Sequence, residues 1–155
     1  MSQLSVWVSE FARLNLAVRR VYIIENLTSF LAFPAVADAV AVWGSGFAVN
    51  LLADAGWLGE KQLFYWGDID VHGFPILARL RACFPAAQSW LMDADTFRRY
   101  HGGGQGAGFV AQALPGLTEA EQPLYQELLR TNARLEQEKL PAAYVAAALR
   151  ATAGQ

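Results

Sequence analysis

The sequence predicts an α/β domain: a mainly parallel four-stranded sheet sandwiched by helices, with a helical segment at its C-terminal end. Three observations predict it. Short apolar runs alternate with stretches at helical spacing, the pattern of βαβ units. Those runs are four or five residues long, and the first two, Val21 to Ile24 and Ala39 to Trp43, are apolar throughout, as in strands buried on both faces. A length of 155 residues suits one hydrophobic core.

Taken in order, Leu4, Trp7, Phe11, Leu14 and Val18 recur at roughly helical spacing. They predict a helix over 4–18, so that residues 1–19 lead into a single domain spanning 20–155. Val21-Tyr22-Ile23-Ile24 is the first strand. Asn26 or Thr28 caps the next helix, which Pro34 helps to end. Ala39 to Trp43 forms the second strand, closed by Gly44-Ser45-Gly46, and Phe47 to Leu58 reads as a helix. The third strand, Leu63 to Trp66, runs into Gly67-Asp68-Ile69-Asp70. A helix from about Phe74 to Phe84 tolerates Pro75 in its first turn. Ser89 to Met92 makes the fourth strand, and Asp93 or Asp95 caps a short helix through Tyr100. His101 to Gly108 holds five glycines and reads as a surface loop. Thr118-Glu119-Ala120-Glu121 is a capping-box pattern that opens a long helix reaching Lys139. Pro141 interrupts it, and Ala142 to Ala151 completes the C-terminal helices of 118–151.

Composition narrows the function classes. Apolar residues make up 54%, above the usual ~45–50%, and the excess suits a partner surface or a neighbouring domain. No uninterrupted apolar run approaches ~18 residues, so no membrane span is expected. Met1 to Glu10 lacks the basic start of a secretory leader. The single cysteine, Cys83, makes no internal disulfide; it reads as a small buried apolar residue in a cytoplasmic protein. A net charge of −2 counts against tight, autonomous, non-specific DNA binding. Ten of the twelve basic residues are arginines, several of them paired: Arg19 with Arg20, Arg79 with Arg81, Arg98 with Arg99. Such pairs suit phosphate contacts or solvated helix ends.

Ligands of doubly wound sheets bind outside the carboxyl ends of the strands. Glu25 closes the first strand, Asp68 and Asp70 the third, and Asp93 the fourth. Asp68 and Asp70 stand two apart, so in extended chain they point to one side. Two close carboxylates repel unless a cation joins them, and Mg²⁺ or Mn²⁺ takes such hard oxygen ligands. A lone Asp-x-Asp is also common in turns and helix caps, and Asp93 suits helix capping in the same way. A haloacid-dehalogenase-type phosphatase places its Asp-x-Asp after the first strand, with Thr or Val where His72 stands here. A nucleotide-sugar transferase is usually longer.

The stretch Gly67-Asp68-Ile69-Asp70-Val71-His72-Gly73-Phe74 resembles the metal motif of TOPRIM domains in type IIB topoisomerases and meiotic double-strand-break proteins, with Val71 in place of a proline. Several blocks resemble, more closely, the C-terminal nuclease domain of the JetD family of the Wadjet plasmid-defence system. They are Val21 to Asn26, Val42 to Gly46, Tyr65 to Phe74, Leu91 to Asp93 and Arg134 to Glu138, covering about Val21 to Leu149.

The resemblance implies a Rossmann-like TOPRIM fold and metal-dependent DNA cleavage with Mg²⁺ or Mn²⁺. Glu25, Asp68 and Asp70 would be the catalytic and metal-binding residues. His72, Asp93, Glu136 and Glu138 are candidates for supporting those ligands or for a second metal; Arg79, Arg81 and Arg134 are candidates for DNA contact. Implied partners are double-stranded DNA, a second copy of the full-length protein and an SMC-like Wadjet complex. Water is the expected nucleophile, because none of Tyr22, Tyr65, Tyr100, Tyr125 and Tyr144 stands out as one. JetD-like proteins carry N-terminal DNA-gripping domains, and the twenty residues before Val21 leave no room for them, so poor cleavage by this piece alone is expected. The competing expectation is a non-catalytic TOPRIM-like module for docking or dimerisation.

Overall fold

Four parallel strands carry the molecule, in the order β2-β1-β3-β4: β1 (Arg20–Ile24), β2 (Ala39–Trp43), β3 (Gln62–Trp66) and β4 (Gln88–Ser89). The computed structural model describes residues 5–45 and 49–153. The helices are α1 (Val8–Phe11), α2 (Leu27–Leu31), α3 (Val49–Leu52), α4 (Gly73–Cys83), α5 (Ala94–Tyr100), α6 (Gln122–Thr131) and α7 (Ala142–Ala153). Short 3₁₀ turns occupy Gly56–Glu60 and Gln137–Lys139. The fold is the predicted mainly parallel α/β sheet with helices around it and a helical C-terminal segment, consistent with a Rossmann-like TOPRIM fold.

Burial follows the strand order. Central β1 is buried at every position, β3 at all but its first, and edge strand β2 is half exposed. Tyr22, Phe64 and Trp66 share one face, by the two-residue period and the β1–β3 register. Phe33 and Trp90 complete an aromatic cluster there, with ring centroids 4.9–6.4 Å apart. Each such pair contributes about 0.5–1.5 kcal/mol beyond its buried area. α7 closes this side: Thr152 accepts from Arg20 through its carbonyl and from Trp90 through its hydroxyl.

Four elements and the placement of one cysteine differ from expectation. The helix expected over 4–18 is one turn, α1. From Arg13 to Arg20 exposed residues alternate with half-buried or buried ones, a period of two rather than of a helix, and the chain leaves α1 by a turn and passes through bends to β1. The helix expected over 47–58 is interrupted: α3 gives way to turns and then to the 3₁₀ turn at Gly56. Phe47 and Ala48, like Gly46 of the expected turn and Leu4 of the first helix, lie outside the described residues. β4 covers 88–89 rather than 89–92, because Leu91 takes φ of +56° and leaves the ladder. The long helix expected from 118 to 139 begins after the Thr118 turn and stops at Asn132, whose φ of +51° makes a left-handed C-cap. Cys83, expected in the core, is exposed.

The break at Asn132 has the largest consequence. Beyond it the chain runs extended, and Leu135 pairs with Ile69 as an isolated antiparallel bridge. Ile69 and Leu135 are only 2% and 3% exposed, which leaves their neighbours Asp68, Asp70, Arg134 and Glu136 on the other side of this short ribbon.

Candidate metal and phosphate site

The sheet reverses its direction of winding between β1 and β3: one connection runs from β1 out to β2, the other from β3 out to β4. The crevice outside the carboxyl ends of these two strands is where such sheets bind ligands. Ile24 pairs with Trp66, and Glu25 continues the ladder by donating its backbone N–H to Trp66 (3.0 Å). Glu25 therefore stands across from Gly67, at the foot of the Asp68–Asp70 loop.

Both aspartates are anchored by one oxygen and present the other. Asp68 Oδ1 accepts from Gln137 N (2.9 Å), and Asp70 Oδ1 accepts from His72 N and Gly73 N (2.8 Å each). Asp68 Oδ2 lies 2.6 Å from Arg134 Nη2 and 3.2 Å from Nε, and Asp70 Oδ2 lies 3.5 Å from the same Nε. One cation thus spans the two free oxygens. Burial pushes the Asp68 carboxyl above its usual range, against the pull of Gln137 N–H and Arg134. Burial likewise raises Glu25, with the charges of Asp68 and Asp70 adding to the effect and a hydrogen bond from Tyr65 opposing it. That bond, Tyr65 Oη to Glu25 Oε2, is 2.8 Å. Burial and the neighbouring Glu25 hold the Tyr65 hydroxyl well above its ordinary value, so it remains a donor.

Two glycines make this packing possible. A Cβ at Gly67 would lie 2.7 Å from Glu25 Oε2, and one at Gly73 would run into the Asp68 carbonyl oxygen. Gly67 N donates to Met92 Sδ at 3.3 Å, which ties the loop to the segment between β4 and α5.

Two open clefts meet at Glu25. One, of about 330 Å³, runs past Asn26, Leu27, Trp43, Asp68 and Arg134. The other, of about 350 Å³, runs past His72, Ile76, Arg79 and Phe109. A strip of mixed charge thus crosses the carboxyl end of the sheet, with an indole at one end and an exposed arginine at the other.

A family model described as the C-terminal region of the Wadjet protein JetD matches residues 1–149. The chain belongs to this family. No curated protein matches it.

In this JetD C-terminal domain the remaining candidates divide by what holds them. Arg134 comes to the aspartates from the extended segment after Asn132, not from the long helix expected to reach Lys139. Glu136 lies 3.5 Å from Arg134 and 3.8 Å from Lys139. Glu138 does not reach the aspartates; it accepts from Asn26 Nδ2 at 2.8 Å, while Asn26 Oδ1 caps α2 through Ser29 N. Asp93 caps α5, with Oδ1 on Thr96 N and Oδ2 on Thr96 Oγ1. His72 is exposed and lines the Arg79 cleft.

Arg81, a candidate for DNA contact, is engaged inside the fold. Its guanidinium makes two bonds to Glu121, 2.6 and 2.9 Å long, and others to Ala87 and Gly116 carbonyls. Arg20 is likewise buried, on Ala37 and Thr152 carbonyls.

Three contributors were not singled out in the sequence. Gln137, 2% exposed, bonds Asn26 N and the Trp66 carbonyl with its side chain and Asp68 with its backbone. Tyr65 holds Glu25. Trp43 is 46% exposed at the cleft and donates to the Glu25 carbonyl at 3.0 Å. A glutamine between two glutamates was the available signal for the first; strand residues that end at a site give none.

Among the described residues, no group of three or more His, Cys, Asp or Glu side chains is arranged to hold a metal ion. The arrangement is two aspartates plus a nearby glutamate. The donor chemistry still fits Mg²⁺, which commonly uses one or two carboxylates and completes its shell with water and phosphate. Asp68 Oδ2 and Asp70 Oδ2 are hard oxygens already held around a single positive charge.

Proposed function

We propose that this domain cleaves DNA phosphodiester bonds with a divalent metal ion, Mg²⁺ or Mn²⁺, as the nuclease domain of a Wadjet anti-plasmid defence protein. The observation that carries the reading is the paired presentation of Asp68 Oδ2 and Asp70 Oδ2, each acid anchored through its other oxygen, at the sheet's switch point. Family membership supports the tie to Wadjet and its other Jet proteins. Double-stranded DNA as substrate, and a second copy of the protein as partner, belong to the same reading.

Asp68 and Asp70 would hold the ion, which when bound supplies neutralising charge to the scissile phosphate. Glu25, its carboxyl raised by burial, is suited to take or give a proton at the attacking or leaving oxygen. Tyr65 orients that carboxylate and, fully buried, is not the nucleophile; water is. Arg79, exposed beside His72 in the cleft, is placed to meet a phosphate.

Plasmid cleavage by the protein assembled with its Wadjet partners tests this. Asp68→Asn should lower cleavage at least 10–100-fold, roughly the cost of disturbing a metal's surroundings, and a chelator should abolish it in the unsubstituted protein. Full cleavage by Asp68→Asn would sink the reading. It would favour a docking module, for which exposed Leu27, Leu31 and Trp43 supply an apolar surface.

A further inference from the structure

We infer that Arg134 is a built-in counter-ion for the carboxylate pair, a latch that a divalent cation must displace to enter; this rests on the metal-dependent reading above. The guanidinium sits on Asp68 Oδ2 and Asp70 Oδ2, at 2.6 and 3.5 Å. The other oxygen of each acid is committed to backbone N–H groups. Guanidinium and metal ion therefore compete for the same two atoms, and two cations within a few ångströms repel.

The latch is built to open at the side chain alone. Arg134's backbone is fixed by its N–H to the Gly104 carbonyl (2.9 Å) and by the neighbouring Ile69–Leu135 bridge. Its side chain is 37% exposed, whereas Arg81 in its closed pair with Glu121 is 10% exposed. Glu136 Oε1, 3.5 Å from Arg134 Nη1, is a second acceptor on the same face. The guanidinium can leave the aspartates without losing every partner. Charge then sets selectivity: a monovalent ion brings no more charge than the arginine it would replace, and a divalent ion brings twice as much.

Calorimetric titration with Mn²⁺, together with thermal melts in chelator and in Mn²⁺, tests the latch on the whole protein. In chelator Arg134→Gln should melt below the unsubstituted protein. It should bind Mn²⁺ about 10–100-fold more tightly, the scale of one lost charge-assisted hydrogen bond, and gain the larger Mn²⁺-induced shift. Arg134→Lys, which cannot fork across two oxygens, should bind more tightly than the unsubstituted protein by a smaller factor, and it carries the test if the glutamine variant does not fold. Equal or weaker Mn²⁺ binding by the folded Arg134 variants, with binding lost in Asp68→Asn, overturns the latch and leaves the metal site standing. No Mn²⁺ binding by any folded form removes the metal reading and the latch with it.

Discussion

Tyr65 and Gly73 show how much the site depends on single atoms. Tyr65 is buried and its hydroxyl has Glu25 Oε2 as acceptor, so Tyr65→Phe removes one charge-assisted bond and leaves that carboxylate oxygen without its donor. The expected cost is about 1–3 kcal/mol in urea unfolding, with the Glu25 carboxyl displaced further upward in an NMR titration. An unchanged unfolding midpoint would mean water replaces the hydroxyl. At Gly73 the added methyl of alanine meets backbone, the Asp68 carbonyl, which cannot swing aside as a side chain can. Gly73→Ala should cost about 1–3 kcal/mol, as overpacking does, and should weaken Mn²⁺ binding by shifting the loop that carries Asp68. Stability and affinity both at the unsubstituted level would show that the loop accommodates the methyl.

At the scale of elements, the end of α6 decides whether the site forms. Had the helix continued to Lys139, Arg134 and Gln137 would have faced wherever its turns put them. Instead Asn132 takes a left-handed conformation and its Nδ2 donates to the Gly106 carbonyl at 3.0 Å. Asn132→Gly loses that bond but keeps the conformation cheaply; Asn132→Ala loses both. Alanine should therefore be the less stable of the two by about 1 kcal/mol, measured by thermal melts. Equal melting would mean the side-chain bond, not the backbone conformation, sets the break. Here the sequence was partly legible: an asparagine after a run of helix formers is a recognised C-cap signal. The apolar and charged spacing of residues 133–139 suits a helix equally well, so that signal alone does not place the break. The gain from pairing Leu135 with Ile69 is non-local, so no local pattern reports it.

For the whole molecule, acid response separates structural from candidate catalytic carboxylates. Burial would raise Glu121, but hydrogen bonds from Arg81, Ser89 and Thr118 N–H outweigh it and bring it from 4.5 down to about 2. A depressed acid stabilises the fold above its unfolded value, and that contribution is lost as pH falls from 4.5 toward 2. It amounts to roughly 3 kcal/mol. Glu121→Gln should remove most of it, shrinking the stability difference between pH 6 and pH 2; an unaltered acid profile would show that the pair with Arg81 is not the source. Glu25 and Asp68 act in the opposite sense. Their raised values favour the folded state below the ordinary carboxylate range, and that contribution is lost as pH rises through them. In chelator, Asp68→Asn should flatten that part of the profile, while Glu121→Gln should leave it in place.

The sequence by itself determined the sheet, its parallel sense and the three acids at strand ends. Strand positions and βαβ alternation are written in short apolar runs, and β1 to β3 lie within a residue of their expected places; the burial of β2, expected on both faces, was not, because its place at the sheet edge is set by strand order. The Asp-x-Asp block and the JetD resemblance were legible for the same reason: they are contiguous. Only the tertiary structure decided what surrounds those acids. Arg134 and Gln137 arrive from more than sixty residues away through one antiparallel bridge, Arg81 goes to Glu121 instead of the surface, and Glu138 is taken up in a brace on Asn26. A charged residue's partner depends on which distant backbone is brought within about 3 Å, and one-dimensional spacing does not encode that distance.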